Sequence, residues 1–345
     1  SAQTSQANVA IGYFALEELT FNGNSYNTAV GMEAGKELVG GIKNTFLGGF
    51  AGNVSTDVDN TVIIGYNAGA AVMTSGADGT VAIGHSALSG LTTGASNIAI
   101  GHKSLTVHTT GARNIAIGDL AMTDTNAGST SLGSADNVFI GYNAGGGTWT
   151  DAASNQNIGI GTNVLNAAMA GALNNTAVGH GSAGAITSGD SNSIFGYLAG
   201  AAITTGGNNV IIGASAGDGF TANTTMTLIG AEAGTTINSN NANGTVAVGY
   251  QSLGDLTSGA TNTALGSKSG DAATTSSGSV FLGFDAGGTV TTGNQNIAIG
   301  LDSMNGGATT GDNNIAIGFS AGDALTSGFR NVFVGQNAGG AAQGA

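Results

Sequence analysis

The chain has 345 residues, a net charge of −14, 63 glycines, no proline, no cysteine and only 8% charged residues. Its six Lys and Arg residues are scattered, so there is no basic footprint for nucleic acid or anionic lipid, and the lack of cysteine excludes disulfide frameworks and thiolate zinc sites. An apolar content of 41% is too high for a disordered Gly-rich linker, no apolar run approaches the ~18 residues of a membrane span, and the first residues carry no basic or apolar signal segment.

From its start the chain returns to one pattern. "NVAIG" at 8–12 is followed by "NTAVG" at 27–31, "NTFLG" at 44–48, "TVIIG" at 61–65 and so on to "NVFVG" at 331–335, nineteen copies in all. Eleven of the eighteen spacings between closing glycines are 17 residues, and the others run from 18 to 20 apart from one of 23. That period is too short for helix-pair repeats, and the copies hold β-branched residues and Gly where helix formers would be needed. Each copy is therefore predicted to form a strand. A second, weaker strand is expected before the Thr-Thr-Gly or Thr-Ser-Gly turns, at Met73, Leu91, Ile186, Ile203, Leu256, Val290 and Leu325. Two strands and two Gly-rich turns make one coil of an all-β, parallel β-solenoid of about 19 coils, read as a single domain over residues 1–345 with repeats from about 8 to 339.

In every copy the third residue before the Gly is Val, Ile, Thr or Ser and the last is Val, Ile, Leu or Phe; these two share a face because strand side chains alternate. The residue between them points the other way, yet it is never polar. A strand apolar on both faces is buried on both. The row Phe46, Ile63, Phe139, Ile194, Ile211, Leu228, Phe281 and Phe333 is accordingly assigned to the outer face, where it is expected to meet another copy of the chain.

Four residues after the Gly stands either a large residue (Leu16, Leu88, Leu105, Met122, Leu165, Leu253, Met304) or another Gly, in the copies that keep register. All eight copies with Phe, Ile or Leu in the triplet's middle carry Gly there. The two positions trade volume, as side chains sharing one close-packed cavity would. Asn opens 14 of the 19 copies, at a turn where its amide can bond turn backbone or a neighbouring Asn.

No catalytic constellation is apparent. Acids such as Glu33, Asp119 and Asp285 occur singly, and "GASAG" at 213 and "GFSAG" at 318 share the register of "GYNAG" at 141, with no helix pattern after them. No cofactor is expected, and no metal: His85, His102 and Asp119 form a straight ladder whose outer members would stand roughly 10 Å apart, too far to share an ion. The column directly after the Gly also holds Tyr66, Tyr142, Tyr197 and Tyr250, which with His85 and His102 are candidate surface residues for stacking on sugar rings. Trp149, the sole Trp, lies in an expanded interval beside the longest one, Gly118 to Gly141, and completes the candidate binding surface. Ice binding would want a flat Thr array, and the Thr pairs lapse at several copies.

"NIAIG" at 97, 114, 296 and 314, with "NTAVGMEAG" at 27, "NTALG" at 262 and "NVFVGQNAG" at 331, resembles the head repeats of YadA-like trimeric autotransporter adhesins and related bacteriophage fibre repeats. The resemblance covers about residues 8–339, although the adhesin repeat is typically a few residues shorter. It implies left-handed β-rolls packed as a homotrimeric rod, a non-enzymatic role in spacing and host attachment, an extracellular place on a phage particle or a bacterial surface, and a cell-surface glycan or receptor as partner.

Overall fold

The computed structural model describes residues 6–20, 23–125, 133–150, 152–238 and 241–340. It is an all-β parallel β-solenoid in two compact units, Ser1–Asn174 and Asn175–Ala345. No change of composition marks the boundary between them.

Every coil contributes one strand of three residues. The first unit stacks β1 (Val9–Ile11), β2 (Thr28–Val30), β3 (Thr45–Leu47), β4 (Val62–Ile64), β5 (Val81–Ile83), β6 (Ile98–Ile100), β7 (Ile115–Ile117), β8 (Val138–Ile140) and β9 (Ile158–Ile160), each parallel to the next and in strict register, middle residue on middle residue. The second unit does the same from β10 (Thr176–Val178) to β19 (Val332–Val334). A 3₁₀ turn stands at Ser75–Ala77.

Local backbone chemistry ends each strand. Gly101 closes its triplet at φ 137°, a conformation open only to Gly, and a Cβ there would run into the carbonyl of Gly118 in the next coil. The chain then turns through two left-handed residues, Lys103 (φ 53°) and Leu105 (φ 49°), and this corner sends Leu105 back into the coil. Both turn amides are satisfied between coils, Lys103 N–H on His85 O at 3.0 Å and Leu105 N–H on Ala121 O at 3.0 Å.

The expected second strand does not form. Met73, Leu91, Ile186, Ile203, Leu256, Val290 and Leu325 all reach the core, but Leu91 N–H turns back to Leu88 O in its own coil (3.4 Å), and the following Thr92 and Thr93 both cross to the one carbonyl of Thr109 (2.9 and 3.2 Å). Bonds that converge on one carbonyl do not propagate a strand, and of these seven residues Val290 alone forms an isolated bridge, to Thr309.

The faces of the triplet are also the reverse of the assignment made above. The middle residues Phe46, Ile63, Phe139, Ile194, Ile211, Leu228 and Phe281 are 0% exposed within the single chain, and Phe333 is half-buried. They fill the coil interior, while the flanking residues point out. The middle position accepts only apolar residues because it lies in the core; the first position carries Thr or Ser in six copies, as an outer face tolerates.

Candidate functional site

The outward strand face is the first candidate. In the first unit Leu47 is 45% exposed; in the second Phe195 is 40% and Leu265 48% exposed, and Val210, Ile212, Leu282 and Ile317 are exposed as well. In-register pairing, Leu265 on Leu282 for example, brings these side chains together into contiguous apolar strips within each unit. Contiguous exposed strips of this kind mark interaction surfaces.

The column directly after the Gly lies beside this face. Tyr66, Tyr142, Tyr197 and Tyr250 are all about half exposed, and His85 and His102 are exposed as well. The rings stack on one another: Tyr66 and His85 centroids are 5.6 Å apart at 20°, His85 and His102 5.4 Å apart at 41°, and His180 and Tyr197 5.5 Å apart at 25°. Where they stack, the faces a sugar ring would need are turned toward neighbouring rings. His102 Nδ1 ends the ladder 2.9 Å from Asp119 Oδ1, and among the described residues no group of three or more His, Cys, Asp or Glu could hold a metal ion.

Trp149 does not belong to this surface. It is 0% exposed and packs edge-on against Phe139, with ring centroids 5.8 Å apart. The Gly in the middle of β9 explains the inward turn. A Cβ at Gly159 would stand 2.6 Å from the Phe139 ring, so the large Phe–Trp pair takes the space that a side chain there would fill. Of the longest interval, residues 126–132 lie outside the described residues. Its described flanks are braced by Arg113, whose guanidinium makes two hydrogen bonds to Asp136, at 2.6 and 2.9 Å, and holds that carboxyl below the usual range.

Two polar ladders run through the turns. The opening Asn side chains are buried, and their Oδ1 atoms accept the backbone N–H of the next coil: Asn44 on Asn27 (2.9 Å), Asn114 on Asn97 (2.9 Å), Asn331 on Asn314 (3.0 Å). This is the role their turn position predicts. The second ladder escaped the sequence reading. Asp59, Asp78, Asn155, Asn243, Ser277, Asn294 and Asp312, two residues earlier, accept the N–H of the preceding coil, as Ile42 does on Asp59 (2.8 Å) and Asn294 on Asp312 (2.7 Å). Its members vary in type, so no single letter repeats to reveal it.

Enzyme-like geometry is not assembled at the places where motifs suggested it. Ser215 and Ser320 of the two Gly-x-Ser-x-Gly matches sit at φ 51° in the same left-handed turn that Asn143 occupies at φ 52°. A hollow of about 240 Å³ is lined by Thr235, Gln251, Gly254, Asp255 and Asp271, and burial pushes the Asp271 carboxyl up, with Asp285 adding repulsion. It brings no nucleophile, base and positive charge together. The Thr pairs of the turns are engaged too, Thr204 Oγ1 donating to Thr221 O at 3.1 Å and Thr257 Oγ1 to Thr274 O at 2.8 Å. No described helix is long and apolar enough to cross a membrane. No protein-family model matches the chain, and no curated protein matches it.

Proposed function

We propose that the chain is a non-enzymatic, extracellular fibre for spacing and attachment, on a phage particle or a cell surface, and that it works as a homotrimer joined through the outward strand face. The observation that carries this reading is the exposed apolar strip of flanking residues in each unit, typified by Leu265 on Leu282. A chain whose interior is already filled by the middle residues has no intramolecular use for that strip, and a second and third copy offering the same strip cover it. The resemblance of the "NIAIG" repeats supplies the number three and the left-handed β-roll. Stacked coils with small residues in tight register, held by two hydrogen-bond ladders, suit a stiff spacer, and the edge-on aromatic columns suit attachment less than the ends or loops do.

The test is a double substitution, Leu265→Lys with Leu282→Lys. On the face of a lone chain these changes stay within about 0.5 kcal/mol. In an assembly they place two unpaired charges per chain in an apolar contact, at several kcal/mol. The expected result is a variant that keeps its β-sheet circular dichroism but sediments as one chain while the parent sediments as three. A variant of unchanged mass would remove the strip from the interface.

A further inference from the structure

The interior column seven residues after the closing Gly holds Leu38, Leu91, Ile186, Ile203 and Ile237, and in the coil of Gly101 it holds His108. The imidazole is 0% exposed. We propose that His108 is an acid-sensing joint: protonation of its buried ring breaks the Asn ladder beside it and opens the coils around Asn97, Asn114 and Asn137 locally.

The geometry sets which nitrogen takes the proton. Asn114 Oδ1 accepts the Asn137 backbone N–H at 3.1 Å, so the amide nitrogen is the end facing the ring, 3.1 Å from His108 Nε2. Nε2 is therefore an acceptor, and the neutral ring carries its hydrogen on Nδ1 and donates to Thr125 Oγ1 at 3.0 Å. Nε2 holds the only lone pair left for an incoming proton. Once protonated, it sets N–H against N–H. The Gly111 carbonyl takes Asn97 Nδ2 at 2.8 Å on one lone pair and can ease the charge with the other, but the N–H clash with Asn114 Nδ2 stays. Relief requires Asn114 to swing away, and that withdraws Nδ2 from Ser134 O (2.9 Å) and Oδ1 from Asn137. The ladder loses a rung inside the core, where unpaired groups are costly.

Among the described residues no ionisable side chain near the ring offsets the charge. Asp124, next to Thr125, accepts the Thr148 hydroxyl on the outer side (2.6 Å); Arg113 and Asp136 pair with each other on the exposed side; Lys103 and the His102–Asp119 pair are exposed. Burial alone pushes His108 down from 6.5 to about 4, with the Gly111 backbone opposing. The sign follows. An opened coil protonates near 6.5 while the closed coil resists until about 4, so the closed form is at full strength above 6.5 and loses stability as the pH falls through that window. The opening constant should rise about tenfold per pH unit inside it. His85, His102 and His180 are exposed and serve as internal controls.

Hydrogen exchange of the whole chain, corrected for intrinsic rates, reads the opening directly. Protection across residues 97–118 should fall about tenfold per pH unit between pH 6 and 4.5 relative to residues 203–220, and His108→Leu, which restores the Leu91-type core, should remove that difference. Proton NMR of the parent protein's imidazole C–H signals gives a readout independent of the variant's folding: His108 should titrate near 4. Titration of His108 near 6.5, equal protection in the two segments, or a retained acid response in His108→Leu would each overturn the proposal.

Discussion

Exchanging Gly270 and Phe281 for the residues found elsewhere in the repeat tests the packing rule of the coil interior. A Cβ on Gly270 would stand 2.5 Å from Phe281 Cδ2 and 2.9 Å from Leu253 Cδ2, so Gly270→Leu overfills the site. The expected cost is about 1–3 kcal/mol from overpacking, with about 1 more for a branched residue at the left-handed φ of 62°. Phe281→Ala empties a fully buried ring site, at about 3–5 kcal/mol. Made together, the two changes give the coil a large side chain at position 270 flanked by small ones at positions 264 and 281. Leu253 already has that setting one coil earlier, between Ala247 and Ala264. The left-handed φ is not an obstacle in itself, since Leu253 sits there at φ 50°. The double mutant should therefore recover about 1–3 kcal/mol relative to the summed single losses in a four-variant denaturant cycle. Additivity within about 0.5 kcal/mol would refute a shared cavity.

Asn192→Ala should cost at least about 2 kcal/mol. Asn209 N–H (3.2 Å) loses its acceptor, Asn209 Nδ2 (2.9 Å) loses one of two, and the Gly206 carbonyl loses a donor, so an unchanged melting temperature would mean the ladder contributes nothing. Trp149, the only Trp and fully buried, should emit in the blue and resist acrylamide quenching; red, readily quenched emission would place it on the surface after all.

The repeat, its register and the first Asn ladder were legible because each leaves one residue type at a fixed spacing. The volume exchange was legible as a pair, whereas in the coil it is a trio. A residue four after the Gly lies between the middle residue of its own coil and that of the next, which is why Gly35 faces Phe46 of the following coil and Leu105 needs both Ala99 and Ala116 to be small. Met122 precedes Phe139 as the exception, and its unbranched chain and the empty position at Gly159 accommodate the ring. Which triplet face looks inward was not legible from hydrophobicity, since both faces are apolar. The Thr and Ser at Thr28, Thr45, Thr176, Ser193, Thr227 and Thr263 held the answer, because polar residues settle on the outer face. Trp149 misled for a simpler reason. An expanded turn reads as surface until the space above Gly159 is known.

The mass of the wild-type protein in solution, by light scattering at micromolar concentration, tests the central claim most directly. The account predicts about three times the 33.1 kDa of one chain, with the flanking residues of the strands closed against each other. A well-folded species of 33.1 kDa would contradict it, because the apolar strip of each unit, typified by Leu47 in the first and by Phe195 and Leu265 in the second, would then stand open to water with nothing to cover it.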